Sequence, residues 1–181
     1  MNDKQTPTER WQESMKIIFE DYLFKDIDSM LGIQGNTGNC NFRILDAILD
    51  GMESLGALLS QEPYDPAQSY LESFWSLMVS NNSIYKGWEV FIRYAVRDIL
   101  RASCSPLDHM FIFKENTPTH MTVYGDVHIS NKMLYEDFVA TYNLFVKPLI
   151  AAGDSQMMGR TKEIQHYFDS HARSVTLPEA S

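Results

Sequence analysis

The sequence predicts a mainly α-helical protein: a bundle of about five to six helices with a small antiparallel β-meander between the fourth and fifth. Three observations predict it. Apolar residues recur at the i, i+3, i+4, i+7 spacing of one helical face through most of the 181 residues. A capping box with proline at the first helical position, Thr6-Pro7-Thr8-Glu9, opens the first such segment. Between His109 and Ser130 the period changes to short β-branched and aromatic runs, HMFIFKE and HMTVYGDVHIS, separated by turn-forming residues.

After the capping box, Trp11, Met15, Ile18, Phe19, Tyr22 and Leu23 form the inward stripe of the first helix, continued by Ile27 and Leu31 and ended by Gly32. The stretch 32–41, GIQGNTGNCN, reads as a surface loop, because no strand precedes its glycines and their spacing fits neither a P-loop nor a dinucleotide fingerprint. A second helix is expected from Asn41 to about Ser60, with Phe42, Leu45, Ile48, Leu49, Met52, Leu55, Leu58 and Leu59 inward. Its Asp46, Asp50 and Glu53 share a flank. No second acidic or His motif answers them, so they read as a solvated face and not as metal ligands. Asp65-Pro66-Ala67-Gln68 is expected to cap a third helix that buries Leu71, Phe74, Trp75 and Met78 and stops at Asn81-Asn82.

The fourth helix, in the stretch Tyr85 to Pro106 and ending before Pro106, has the most regular stripe, made by Trp88, Phe91, Ile92, Ala95, Val96, Ile99 and Leu100. Arg93, Arg97 and Arg101 follow one another a turn apart at its border, where their stems pack and their charges reach outward. Beyond the meander, Asn131 is expected to cap a fifth helix with Leu134, Phe138, Tyr142 and Phe145 inward, bent or ended by Pro148. A sixth runs from about Asp154 to Ser170 on Met157, Ile164 and Phe168. Residues 1–172 read as one domain and 173–181 as a flexible tail.

Composition narrows the function classes. With 44% apolar residues but only 9 Gly and 7 Pro, the chain has core material and little low-complexity sequence. No basic-then-apolar leader opens it and no apolar run approaches ~20 residues, so a cytoplasmic protein without membrane insertion is expected. The net charge of -9 is unevenly placed: up to Trp75 there are 13 Asp and Glu against 5 Lys and Arg. Such a surface repels a phosphate backbone, which leaves RNA binding to a local cluster such as the arginine row.

The candidate chemistry is sparse. Cys104 and His109 are neighbours in sequence, but Cys104 follows a helix C-terminus, where the dipole disfavours a thiolate. A two-residue turn at Gly125-Asp126 would pair Val123 with His128 and set His120 on the opposite face, which excludes shared metal ligation. His166 and His171 sit five apart, the wrong spacing for ligands on one helix. No metal and no cofactor is therefore expected. Arg93, Arg97 and Arg101 remain as an anion-binding or partner-binding set, since guanidinium forks suit phosphate and carboxylate equally.

Asp50-Gly51-Met52-Glu53-Ser54-Leu55-Gly56 near the end of the second helix, then Arg97-Asp98-Ile99-Leu100-Arg101, a β-meander and a closing Leu134-Tyr135-Glu136-Asp137-Phe138 helix together resemble HEPN-like bacterial proteins, over roughly residues 15 to 147. In that family an Arg, often followed by a polar residue, precedes a His by four to six positions at a helix end. The pair serves metal-independent RNA cleavage in dimeric nucleases, supported by an acidic residue on an earlier helix. The resemblance puts Arg97 at the Arg, Asp98 at the polar position and Glu53 at the acidic support. The expected His window holds Arg101, Ala102, Ser103 and Cys104 instead, and the next imidazole, His109, lies beyond Pro106. Without a group to exchange protons near neutral pH, the scaffold implies a non-catalytic binding or regulatory protein that acts on a protein partner or on itself, with Arg97 paired to Glu53. The alternatives are an active HEPN-type ribonuclease using Arg97, His109 and Glu53, and an acidic inhibitor that mimics nucleic acid.

Overall fold

The computed structural model describes residues 5–33, 39–88, 110–113, 120–121 and 127–172. Among them the chain is mainly helical, with α1 (Pro7–Lys16), α2 (Phe24–Gly32), α3 (Asn39–Leu59), α4 (Leu71–Asn81), α5 (Asn131–Thr141), α6 (Lys147–Ala152) and α7 (Ser155–Ala172). Three short strands accompany them: β1 (Met110–Phe113), β2 (His120–Met121) and β3 (Val127–Ser130). Arg93, Arg97 and Arg101 of the expected fourth helix, Cys104 and His109 after it, residues 34–38 of the expected loop and the expected tail 173–181 lie outside the described residues. No helix among the described residues is long and apolar enough to cross a membrane.

The helix α3 organises the rest. Ile44, Leu45, Ile48, Leu49, Met52 and Leu55 are each no more than 2% exposed, and together they cover more of the helix than a single amphipathic stripe. Accordingly α3 packs against α2, α4, α5 and α7 at once. Two glycines allow the neighbours to come this close. A Cβ on Gly51 would lie 2.6 Å from Leu23 Cδ2, and one on Gly56 only 1.9 Å from the Tyr70 carbonyl oxygen.

At its start, α1 has the expected capping box: Glu9 N–H donates to Thr6 Oγ1 at 3.2 Å, and Thr6 N–H donates to Glu9 Oε2 at 2.7 Å. Further along, a π-type stretch at Ile17–Leu23 joins α1 to α2 without a break. The wider turn brings residues five apart above one another. Phe19 and Phe24 are both buried as a result, while Ile18 and Tyr22, expected inside from an α-helical period, turn outward. A second π-type stretch, Tyr142–Val146, joins α5 to α6. There Lys147 N–H donates to Tyr142 O, so the donor that Pro148 lacks falls at a seam where the α-helical ladder is already interrupted. Pro148 therefore neither ends nor breaks the helix, which continues to Gly153 in the left-handed conformation (φ 67°).

The two π-type stretches meet. Tyr142 Oη donates to Glu20 Oε1 at 3.2 Å, Lys147 Nζ lies 3.0 Å from the same oxygen, and the Phe24 ring meets the Tyr142 ring edge-on at 5.1 Å. Burial first, and then the Glu20 charge, push the Tyr142 phenol well above its ordinary pKa.

Other expectations need correction. The third helix begins at Leu71, because Asp65 spends its carboxylate on Ala67 N–H (2.9 Å) and closes a local turn instead of capping a helix. Ser130, not Asn131, caps α5, accepting from Met133 N–H at 3.2 Å. Asn131 is buried and donates to Asn41 O at 2.8 Å. The strands do not form an antiparallel meander: their order is β1-β3-β2, with β1 parallel to β3. Parallel neighbours cannot be joined by a tight hairpin, so β1 and β3 are not successive strands of a meander. In the antiparallel β2–β3 pair His120 stands directly opposite His128. This register is three residues away from the expected pairing of Val123 with His128.

Candidate functional site

Of the site residues Glu53, Arg93, Arg97, Arg101 and His109, Glu53 alone lies within the described residues. It stands on α3, where its Oε1 accepts from Tyr70 N–H at 2.7 Å and its Oε2 accepts from Ser69 Oγ at 3.1 Å. An anion at the entry to a helix satisfies donors that have no intrahelical acceptor and faces the positive end of the dipole. Glu53 thus holds the entry to α4. Its proposed partner Arg97 lies outside the described residues, as do Arg93, Arg101 and His109. Glu53→Ala strands the Tyr70 N–H, and is expected to cost about 1–3 kcal/mol, read as a lower urea midpoint with an unchanged slope.

One turn beyond Glu53, the Tyr70 carbonyl rests on Gly56. Tyr70 also gathers the loop that precedes α4. Its Oη accepts from Asp65 N–H at 2.7 Å and donates to Pro63 O at 3.3 Å, and its ring stacks on Tyr64 at 5.9 Å. The other end of the loop is tied to α7, where Glu163 Oε1 accepts from Tyr64 N–H at 2.8 Å and Glu163 Oε2 accepts from Arg160 Nη1 at 2.9 Å. The Tyr64 N–H first, and Arg160 second, hold the Glu163 carboxyl below its ordinary pKa. A lowered carboxyl pKa contributes stability that is present above the ordinary glutamate value, about 4.3, and is lost as pH falls through the lowered one. The thermal midpoint should therefore decline on acidification below that range, and Glu163→Gln should make the decline shallower.

Tied at both ends, the loop forms one side of a groove of about 410 Å³. Met15, Ile18 and Phe19 form a second side, Ile164 and Phe168 of α7 a third, and Ala57, Leu58 and Glu53 of α3 the floor. The lining is apolar apart from Glu53, Ser54, Gln68 and the two tyrosine hydroxyls. Ile18 is 48% exposed and Phe168 56%, so apolar surface continues from the groove to the outside. Phe168 corrects an expectation, since the helical period placed it inward. It borders a depression that no segment among the described residues fills.

A sequence reading could not find this site, because its walls come from four separate segments. Tyr64, Tyr70 and Phe168 look like ordinary core aromatics, and Arg160 and Glu163 like an i, i+3 surface pair. Arg160 is in fact 4% exposed. Among the described residues, no group of three or more His, Cys, Asp or Glu side chains is placed to hold a metal ion. Comparison with protein-family models, with curated proteins and with solved structures returns no match for this chain.

Proposed function

We propose that this chain is a non-catalytic binding protein that acts through contact with a protein partner, and that the contact surface is the groove between α1, α3 and α7. The observation that carries this reading is the apolar groove itself, open to the surface between the exposed side chains of Ile18 and Phe168. Grooves of this shape and chemistry receive amphipathic helices, whose apolar anchors at i, i+3 and i+4 enter while the polar face stays wet. Charge selects the kind of helix. The segment up to Trp75, which supplies most of the groove, carries 13 acidic against 5 basic residues, and Glu53 stands in the floor. The partner element is a basic amphipathic helix, drawn in by complementary charge and held by its apolar face. The ribonuclease reading needs an imidazole partner for Arg97, and the sequence offers none in the expected window.

Calorimetric titration with a model helical peptide of leucine and lysine tests the proposal, with its leucine and glutamate counterpart as control. The basic peptide is expected to bind and the acidic one not to. Replacing Ile18 and Phe168 together by serine should weaken binding at least tenfold, about 1.4 kcal/mol. Ile84→Ser, at an exposed apolar residue that does not line the groove, should leave binding unchanged. Equal loss in both variants would contradict the assignment.

A further inference from the structure

We propose that a second, polar cavity beside this groove binds a small zwitterion, of the class of a free α-amino acid. The cavity measures about 470 Å³ and is walled by Ser60, Gln61, Glu62, Gln156, Arg160 and Glu163, with Pro63 at its edge. Arg160 gives this cavity its binding character. Part of its burial has a structural explanation. Its Nε–H donates to Ala57 O at 2.8 Å near the C-terminal end of α3, where a cation is favoured, and its Nη1 donates to Glu163. The rings of Tyr64 and Tyr70 have their centroids 5.5 and 5.2 Å from Cζ and stabilise the charge. None of this engages Nη2, which is buried with no hydrogen-bond partner among the described residues. A buried charged donor without an acceptor is rare in folded proteins. A carboxylate entering from the cavity supplies the acceptor for Nη2 through one charge-assisted hydrogen bond, since Nε and Nη1 are already engaged.

The remaining charges decide what accompanies that carboxylate. Glu163 already balances Arg160, and Glu62 adds a second carboxylate to the wall. The wall is therefore net negative, which opposes a bare anion such as inorganic phosphate. A ligand with its own ammonium group removes the conflict. Glu62 uses Oε2 to accept from Gln68 Nε2 at 3.2 Å, which leaves Oε1 for the ammonium. Ser60, Gln61 and Gln156 offer neutral donors and acceptors around the ligand's body.

The test is a thermal-shift screen of the full chain against the common α-amino acids, one at a time, followed by calorimetry on any that stabilise. At least one should raise the midpoint by several degrees at ~10 mM. Its carboxamide and its N-acetyl derivative should each lose the effect. Glu62→Gln, on an exposed side chain, should weaken binding about tenfold while leaving the unliganded midpoint and the binding of the basic peptide unchanged. Arg160→Lys, which keeps the charge and removes Nη2, should abolish binding. Should that variant fail to fold, Gln156→Ala takes its place and should weaken binding. No stabilisation by any amino acid, equal stabilisation by the carboxamide, or binding of inorganic phosphate in competition with the amino acid would each overturn the proposal.

Discussion

Replacing Gly56 by alanine is expected to destabilise the protein by roughly 3 kcal/mol or more, and to lower its thermal midpoint by about 6–12 °C. The added Cβ would stand 1.9 Å from the Tyr70 carbonyl oxygen and 2.8 Å from its carbon. These are backbone atoms, so no side-chain rotation relieves the clash and the start of α4 must move. Moving it also strains the bond between Tyr70 N–H and Glu53, so the loss exceeds that of simple overpacking. Gly159→Ala is the matched control. Nothing lies within 4 Å of a Cβ there, and alanine in a helix is favoured over glycine by roughly 0.5–1 kcal/mol. The same substitution should therefore have opposite signs at the two positions. A Gly56→Ala variant as stable as Gly159→Ala would refute the close approach of α3 and α4.

Phe138→Ala should cost about 3–5 kcal/mol. The ring is fully buried and meets Phe24 edge-on at 5.5 Å and Phe74 edge-on at 5.3 Å. It therefore links α2, α4 and α5 through one aromatic cluster, and its loss leaves a cavity those three helices cannot close independently. Urea unfolding followed by tryptophan fluorescence measures the effect. A change under about 1.5 kcal/mol would mean that the cluster repacks freely.

Most helices were legible because their information is local. The capping box at Thr6 to Glu9 needs no other part of the chain, and most inward residues of α3 follow from spacing alone, whereas Ile44 is buried outside the expected stripe. The failures share a physical cause, which is that a non-local partner or an altered period overrode a local signal. Ile18 and Tyr22 turned outward because the π-type stretch added a residue to the turn. The helix expected at Asp65 was delayed because the Asp65 carboxylate closed a turn on Ala67 N–H and a carboxylate from α3, Glu53, took the Tyr70 N–H. The β-strands were recognised by composition, but the parallel pairing of β1 with β3 depends on a crossover that composition does not encode. The stretch Asp50 to Gly56, which carried part of the resemblance to HEPN-like proteins, has a structural role of its own: Gly51 and Gly56 admit neighbouring chains, and Glu53 and Gly56 fix Tyr70. The groove was not legible, since it exists only where four segments meet.

The most direct test of the binding surface is an amide chemical-shift map of the isotope-labelled protein titrated with the basic leucine and lysine helix. Perturbations should concentrate on Ile18, Ala57, Tyr64 and Phe168, around the groove, and spare Ser80 on the surface of α4. Shifts scattered over the acidic surface, or centred elsewhere, would contradict the account.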